Sequence, residues 1–256
     1  MLVICNGAIK SGSTWLYNIL LNLRSFERPP DHYLTENSRR RQNNPCIRPE
    51  MLASFLASED VVSRDYMSKN HLGRPEQRDL LMRHPHVFVF DIERDVRDMV
   101  VSAFYDERNR HGYRGSFADF YWSEGRYVAD SVLRYHDTWR QAGERFCMVS
   151  YEALHGDFAR EAGRIAATLG MSLSEAEMSG LRDRTSMGAL RKSYAGEALY
   201  EGDKFFRKGV VGDWRSHFDD PMTVDIDRIR QRGIGRLDLR ALARRVRTAM
   251  RGSAPR

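Results

Sequence analysis

The chain is short of cysteine, of long apolar runs and of metal-binding clusters, and each shortage closes a class of protein. Its three cysteines, Cys5, Cys46 and Cys147, are widely separated and match no metal-binding spacing. Cys5 and Cys147 sit in apolar, strand-like runs, the setting of buried free thiols. No apolar run approaches the roughly 20 residues that a membrane-spanning helix needs. The apolar start, Met1 to Cys5, lacks a basic lead and a small-residue cleavage site, and it is broken by Asn6, Lys10 and Ser11. It reads as a first core strand rather than a signal peptide, which sets the expectation of a cytoplasmic protein. There is no internal repeat and no sequence break that marks a domain boundary, so residues 1–256 are expected to form a single domain. A Gly-x-x-x-x-Gly-Lys-Ser/Thr string, the usual nucleoside-triphosphate loop, is also missing.

What is present is ordinary globular material, 41% hydrophobic and 30% charged, with a formal net charge of +6. That is enough chain for one sizeable α/β core. The basic excess suits an anionic ligand, a nucleic acid or a membrane surface without choosing among them. Much of it is arginine after Arg228, in residues 222–256, a helical basic tail. Because that tail lacks interleaved aromatic residues for stacking bases, no nucleic-acid partner is expected.

Hydrophobic periodicity orders the chain as strands and helices in alternation. Strands are expected at 2–7, 61–67, 86–92 and 145–150. Helices are expected at about 14–24, 49–57, 75–83, 116–122, 126–141, 156–169, 174–183, 223–232 and 238–250, with a further one running through Met99, Val100, Ala103 and Phe104. Residues 25–50, polar and including Arg39-Arg40-Arg41, read as a long loop or lid, and 191–212 as a flexible segment. The implied fold class is α/β, a P-loop-like parallel sheet of four to five strands with helices on both faces.

The functional argument starts at Asn6-Gly7-Ala8-Ile9-Lys10-Ser11-Gly12-Ser13-Thr14-Trp15. Strand, glycine turn and helix start make a phosphate cradle, in which backbone amides and the helix N-terminus converge on an anion. Lys10 adds a point charge, and Ser11, Ser13 and Thr14 add hydroxyl donors. Further on, Arg94 follows a strand and Ser102 lies about two turns into the next helix. An arginine at that rim can grip a phosphate, although by themselves the two residues read more simply as an exposed arginine and a helix serine. Arg207-Lys208-Gly209 joins two cations to a glycine that permits close approach of an anion. Lys69 and His71, two apart on an extended chain, can face one cleft. Tyr151 and Thr185-Ser186-Met187 complete the set. The aromatic group Tyr105, Tyr113, Phe117, Phe120, Tyr121 and Trp122 reads either as pocket lining or as core, with core the simpler reading.

Taken together, these strings resemble the cytosolic-type sulfotransferases, which use 3′-phosphoadenosine 5′-phosphosulfate (PAPS). That family's Pro-Lys-Ser-Gly-Thr-Thr-Trp loop is similar to Ile9-Lys10-Ser11-Gly12-Ser13-Thr14-Trp15. Its arginine and serine, eight residues apart, fall on Arg94 and Ser102. Its Arg-Lys-Gly-x-x-Gly-Asp-Trp-Lys-x-x-Phe string falls on Arg207 to Phe218, with Arg215 in place of the second lysine. Its Lys-Thr-His falls on Lys69-Asn70-His71, with Asn70 replacing threonine. The resemblance covers residues 1–220. It implies a PAPS-dependent transfer of sulfate by in-line displacement, with PAP (adenosine 3′,5′-bisphosphate) as product and no metal.

It also implies roles. His71 is the base, Lys10 stabilises the bridging oxygen and Lys69 the sulfuryl oxygens. Lys10, Ser11, Gly12, Ser13, Thr14 and Trp15 bind the 5′ side, with the Trp15 ring against adenine. Arg94, Ser102, Arg207, Lys208 and Gly209 (within the donor-binding loop, 191–218) hold the 3′-phosphate. Tyr151, Ser186 and Met187 surround the adenosine, Met187 standing where the family commonly has phenylalanine. The family's dimer motif, Lys-x-x-x-Thr-Val-x-x-x-Glu, is not reproduced after Trp214, which leaves the oligomeric state open. The polar, basic character of 25–50 points to a polar small molecule or glycan as acceptor. The alternative on the same loop is a magnesium-dependent nucleotide or small-molecule kinase.

Overall fold

In the computed structural model, residues 1–40, 43–140, 142–195 and 206–234 are described. The expected helix at 238–250, Arg41 and part of 191–212 lie outside them. The chain divides into two compact units, Met1–Arg94 with Tyr135–Val211, and Asp95–Arg134 with Gly212–Arg256.

The first unit is built on four strands, β1 (Leu2–Gly7), β2 (Tyr66–Lys69), β3 (Val87–Glu93) and β4 (Phe146–Ser150), in the order β2-β1-β3-β4. Every pairing is parallel. β1 is buried along its whole length and β3 nearly so. This is why their sequences are near-continuous apolar runs rather than alternating ones. Successive side chains point to opposite faces of the sheet. Val3, Cys5, Phe90, Ile92, Cys147 and Val149 therefore share one face, and they pack against α1 (Ser13–Leu23) and the later helices of the unit. Leu16, Ile19 and Leu20 of α1 are fully buried there. All three cysteines are free, and Cys5 and Cys147 are buried as expected.

Residues 25–50 have internal structure. A 3-10 turn at Asp31–Tyr33, the short α2 (Glu36–Arg39) and a second 3-10 turn at Pro49–Met51 surround a bridge between the buried Leu34 and Ile47. They lead into α3 (Leu52–Leu56) and α4 (Asp60–Ser63). The strand expected at 61–67 is thereby corrected. The amides of Val62 and Ser63 turn back to the Glu59 carbonyl, and pairing with β1 begins only at Tyr66, opposite Leu2. The β-branched pair Val61-Val62 suggested a strand, but the hydrogen-bond partner lies elsewhere. α5 (Pro75–Arg83) follows and packs on β3.

In the second unit, α6 (Val96–Arg110), α7 (Phe117–Phe120), a π-turn at Tyr121–Gly125 and the first part of α8 (Arg126–Trp139) gather aromatic rings. Phe104 meets Phe117 at 5.4 Å and Phe120 at 5.6 Å, and Tyr121 meets Phe218 at 5.3 Å. Phe120 and Tyr121 are buried, so these rings form the core of the unit. α8 ends in the first unit. There β4 is followed by α9 (Tyr151–Gly156), α10 (Phe158–Thr168), α11 (Glu175–Arg184) and α12 (Met187–Ser193). α12 corrects part of the segment expected to be flexible. Ser186 caps it, its hydroxyl accepting from the Ala189 amide, and Leu190 and Tyr194 pack with Phe206. A 3-10 turn at Asp213–Ser216 and α13 (Asp220–Arg232) close the second unit.

Candidate active site

The site grows from the C-terminal end of β1. Lys10 is in the left-handed region, at φ 72°, and Gly12 at φ 102°. Gly12 is required twice over. A side chain is strained at that φ, and a Cβ there would lie 2.6 Å from the Tyr151 ring. Gly12 is also the N-cap of α1 and has no side chain with which to cap it. The Trp15 amide turns back to the Gly12 carbonyl at 2.8 Å, which leaves the Ser13 and Thr14 amides at the positive end of the helix, an arrangement suited to an anion. Ser11 is buried, and its hydroxyl donates to the Ala8 carbonyl at 2.8 Å. Its role is to fold the loop. Ser13 and Thr14 are also buried, and the Thr14 hydroxyl accepts from Lys69 Nζ at 2.7 Å.

Lys69 stands at the end of β2, beside Cys5. Burial, reinforced by the like charge of Lys10, lowers its pKa to about 8. His71 follows two residues later. Its Nδ1 lies 2.6 Å from the Gly7 carbonyl oxygen. A carbonyl only accepts, so Nδ1 carries the proton and Nε2 keeps its lone pair. Burial and the charge of Lys69 hold the His71 pKa below the ordinary histidine value. The neutral, base-competent form is therefore favoured near neutral pH. Asn70, between them, is buried. Its amide donates to the Ile47 carbonyl at 2.8 Å, while the Lys69 amide donates to Pro45. The end of the 25–50 segment is thereby laced onto the exit of β2.

A second group surrounds Trp15 and Tyr151. Their rings meet edge-on at 5.6 Å, and Arg94 lies over the Tyr151 ring at 4.2 Å. Arg94 also donates to the Val210 carbonyl. Gly209, at φ 62°, is packed so closely that a Cβ would fall 2.1 Å from Met187 Cε. Arg191 holds the carbonyls of Phe206 and Arg207 and so fixes the approach to Lys208. Lys10, Ser11, Gly12, Ser13, Thr14, Trp15, Lys69, His71, Arg94, Tyr151, Met187, Arg207, Lys208 and Gly209 are all in the first unit. Ser102 is on α6 in the second unit, and Ser186 is occupied as the cap of α12. The buried Trp15 Nε1 has no acceptor among the described residues. A purine nitrogen or ribose oxygen is a suitable partner, so this corner fits a nucleoside. Among the described residues no three His, Cys, Asp or Glu side chains converge as metal ligands.

Three neighbours of the site were given no role in the sequence reading. His155 lies 4.9 Å from Trp15 and 4.7 Å from Tyr151. Burial, with the charge of Arg94, lowers its pKa. Asn6 and Asp91 are fully buried on adjacent strands. A carboxylate inside the apolar run Val87–Ile92 was a visible signal for the second of these.

The sulfotransferase domain model matches residues 2–238. The chain is 24% identical over 243 residues to human sulfotransferase 2A1, covering 87% of this chain and 80% of the relative. It is 23% identical to cytosolic sulfotransferase 16 of Arabidopsis thaliana, covering 85% and 71%. Its fold is shared with mouse sulfotransferase SULT7A1 complexed with PAP, at TM-score 0.65 and 19% identity over 96% of this chain and 88% of that one. The fold is also shared with a retinol dehydratase in complex with androsterone and the inactive cofactor PAP, at TM-score 0.64 and 20% identity over 89% and 78%. A match over nearly the whole length, carried on a parallel sheet with an anion-receiving loop at the end of β1, places this chain in the sulfotransferase family, the PAPS-dependent sulfuryl-transfer enzymes.

Proposed function

We propose that the chain transfers the sulfuryl group of PAPS to a hydroxyl or amine of a small-molecule or glycan acceptor, with His71 as the base. The observation that carries this reading is the His71 Nδ1–H bond to the Gly7 carbonyl. It leaves Nε2 as the free lone pair, beside two mutually repelling cations, Lys69 and Lys10. The acceptor proton goes to Nε2 as the acceptor oxygen or nitrogen forms its bond to sulfur. The bond from sulfur to the bridging phosphate oxygen breaks, and Lys10 meets the charge that collects on the departing PAP. Lys69 stabilises the sulfuryl oxygens during transfer, and being already in place it needs no reorganisation. Trp15, Tyr151 and Met187 hold the adenosine, while Arg94 and the Arg207-Lys208-Gly209 turn hold the 3′-phosphate.

The acceptor side is narrower than composition alone implies. Arg28 donates to the Ser38 carbonyl, Arg39 to the Asp31 carbonyl and Arg48 to the His32 carbonyl. These arginines brace their own segment, so the acceptor class is set by a nucleophilic hydroxyl or amine rather than by an added anionic group. Labelled PAPS, presented with phenols, sterols, amines and glycans, tests the reading. The expected result is labelled product from at least one class, lost in His71→Ala while PAP still binds. Full turnover by His71→Ala would remove the assigned base.

A further inference from the structure

On the far side of β1 from Lys69, a buried polar network holds the segment that carries His71. Asn6 immediately precedes Gly7, whose carbonyl receives the His71 proton. The Asn6 side chain reaches across to the residue that follows His71. Its Oδ1 accepts from the Leu72 amide at 2.8 Å, and its Nδ2 donates to the Leu72 carbonyl at 3.1 Å. The backbone ladder between β1 and β2 has ended two residues before Leu72, with the Asn70 amide donating to Cys5. One side chain thus replaces a strand partner on both sides of the Leu72 peptide and carries the pairing past His71.

An amide can serve this way in only one orientation, since its oxygen and nitrogen are not interchangeable. Asp91, paired with Asn6 in the sheet register, supplies the orientation. Its Oδ2 accepts from Asn6 Nδ2 at 2.8 Å and from the Tyr135 hydroxyl at 2.7 Å. A flipped Asn6 would turn its oxygen toward the carboxylate and its NH2 toward the Leu72 amide, two repulsive contacts. Trp139 closes the group, donating Nε1 to the Leu72 carbonyl at 2.7 Å. Asn6, Asp91 and Trp139 are fully buried, and Leu72 and Tyr135 are nearly so. Water is therefore not at hand to replace a lost partner.

We propose that Asp91 and Asn6 are positioning residues for the histidine base, Asp91 fixing the amide of Asn6 and Asn6 fixing the exit of β2 so that His71 Nδ1 meets the Gly7 carbonyl. Neither touches substrate. The proposal rests on His71 being the base, and the experiment separates the two. PAP binding, turnover and the His71 imidazole nitrogen resonances are recorded for wild type, His71→Ala, Asn6→Ala, Asp91→Leu, Asp91→Asn and Tyr135→Phe. Wild type is expected to show His71 as the Nδ1–H tautomer. Asn6→Ala and Asp91→Leu are expected to lose kcat by about tenfold or more, with the PAP dissociation constant within about twofold and the tautomers mixed. Asp91→Asn, which keeps an acceptor oxygen, is expected to restore most of the kcat that Asp91→Leu loses.

Tyr135→Phe removes one donor to Asp91 and no backbone partner. It keeps the test decisive where a core variant is too unstable to purify, with an expected loss of about threefold and a partly mixed tautomer. Unchanged kcat and an unchanged His71 tautomer in Asn6→Ala, or in Tyr135→Phe if Asn6→Ala does not fold, would overturn the proposal. Unchanged turnover in His71→Ala would instead overturn the base assignment, a separately readable result.

Discussion

The two faces of the sheet at the end of β1 carry opposite kinds of polar chemistry. On one face Lys69 reaches Thr14, and its charge is pushed down by burial and by Lys10. On the other, Asn6, Asp91, Tyr135 and Trp139 exchange hydrogen bonds at 2.7–3.1 Å among themselves and with Leu72. The first face gathers like charges that an anion would relieve. The second joins donors to acceptors within the protein, and only Asp91 Oδ1 lacks a partner among the described residues of that group. Buried polar residues do not mark a ligand site merely by being buried. What distinguishes the loop face is that two like charges, Lys69 and Lys10, are held close enough to repel.

The comparison predicts unequal responses to substitution. The largest is expected for Lys69→Met, which keeps the apolar stem and removes the charge. Single-turnover kinetics with PAPS should show a loss on the order of 10²-fold in the transfer step, as for other preorganised electrostatic groups. A loss below threefold would move Lys69 from the chemistry to the scaffold. Next is Gly12→Ala, where the new methyl group meets Tyr151 in a left-handed backbone position. The strain is about 1–3 kcal/mol, and calorimetry should show PAP binding weakened by about tenfold with a lowered Tm.

The pH dependence of kcat/KM sharpens the comparison further, because it reports groups of the free enzyme. His71 must be neutral, so activity falls on the acid side, below the ordinary histidine value. Lys69 must be charged, so activity falls on the alkaline side, near pH 8. Lys10→Gln removes the like charge and should move the alkaline limb upward whatever it does to the maximum rate. The smallest effect is a stability slope set by the other face. Burial raises Asp91 to about 7, above the roughly 3.9 of an unfolded aspartate. Folding therefore takes up a proton between those values, and wild-type stability declines as pH rises through about 7. Denaturant melts at pH 5 and pH 8 should show this slope in wild type and a flatter one in Asp91→Asn.

Much of the loop face was legible because it is local. Lys10 to Trp15 is one string, and Lys69-Asn70-His71 is another, so residue order alone put a lysine, a histidine and a helix start near one strand end. The Asn6–Asp91 pair was not legible. Its partners are 85 residues apart, and the pairing exists only once β1 and β3 are in register. Val61-Val62 misled for the converse reason, since strand propensity was there without a strand to pair with. The arginines of residues 28–48 were read from composition alone, as part of a polar, basic loop. Their carbonyl partners lie 8–16 residues away within the same segment, a closure that composition does not display.

Calorimetric titration of the wild-type protein with PAP, and separately with ATP and magnesium, tests the loop face most directly. PAP should bind without added metal and more tightly than ATP with magnesium, because the proposed site assigns the 3′-phosphate to Arg94 and the Arg207-Lys208-Gly209 turn. Binding of ATP with magnesium, and none of PAP, would contradict the account.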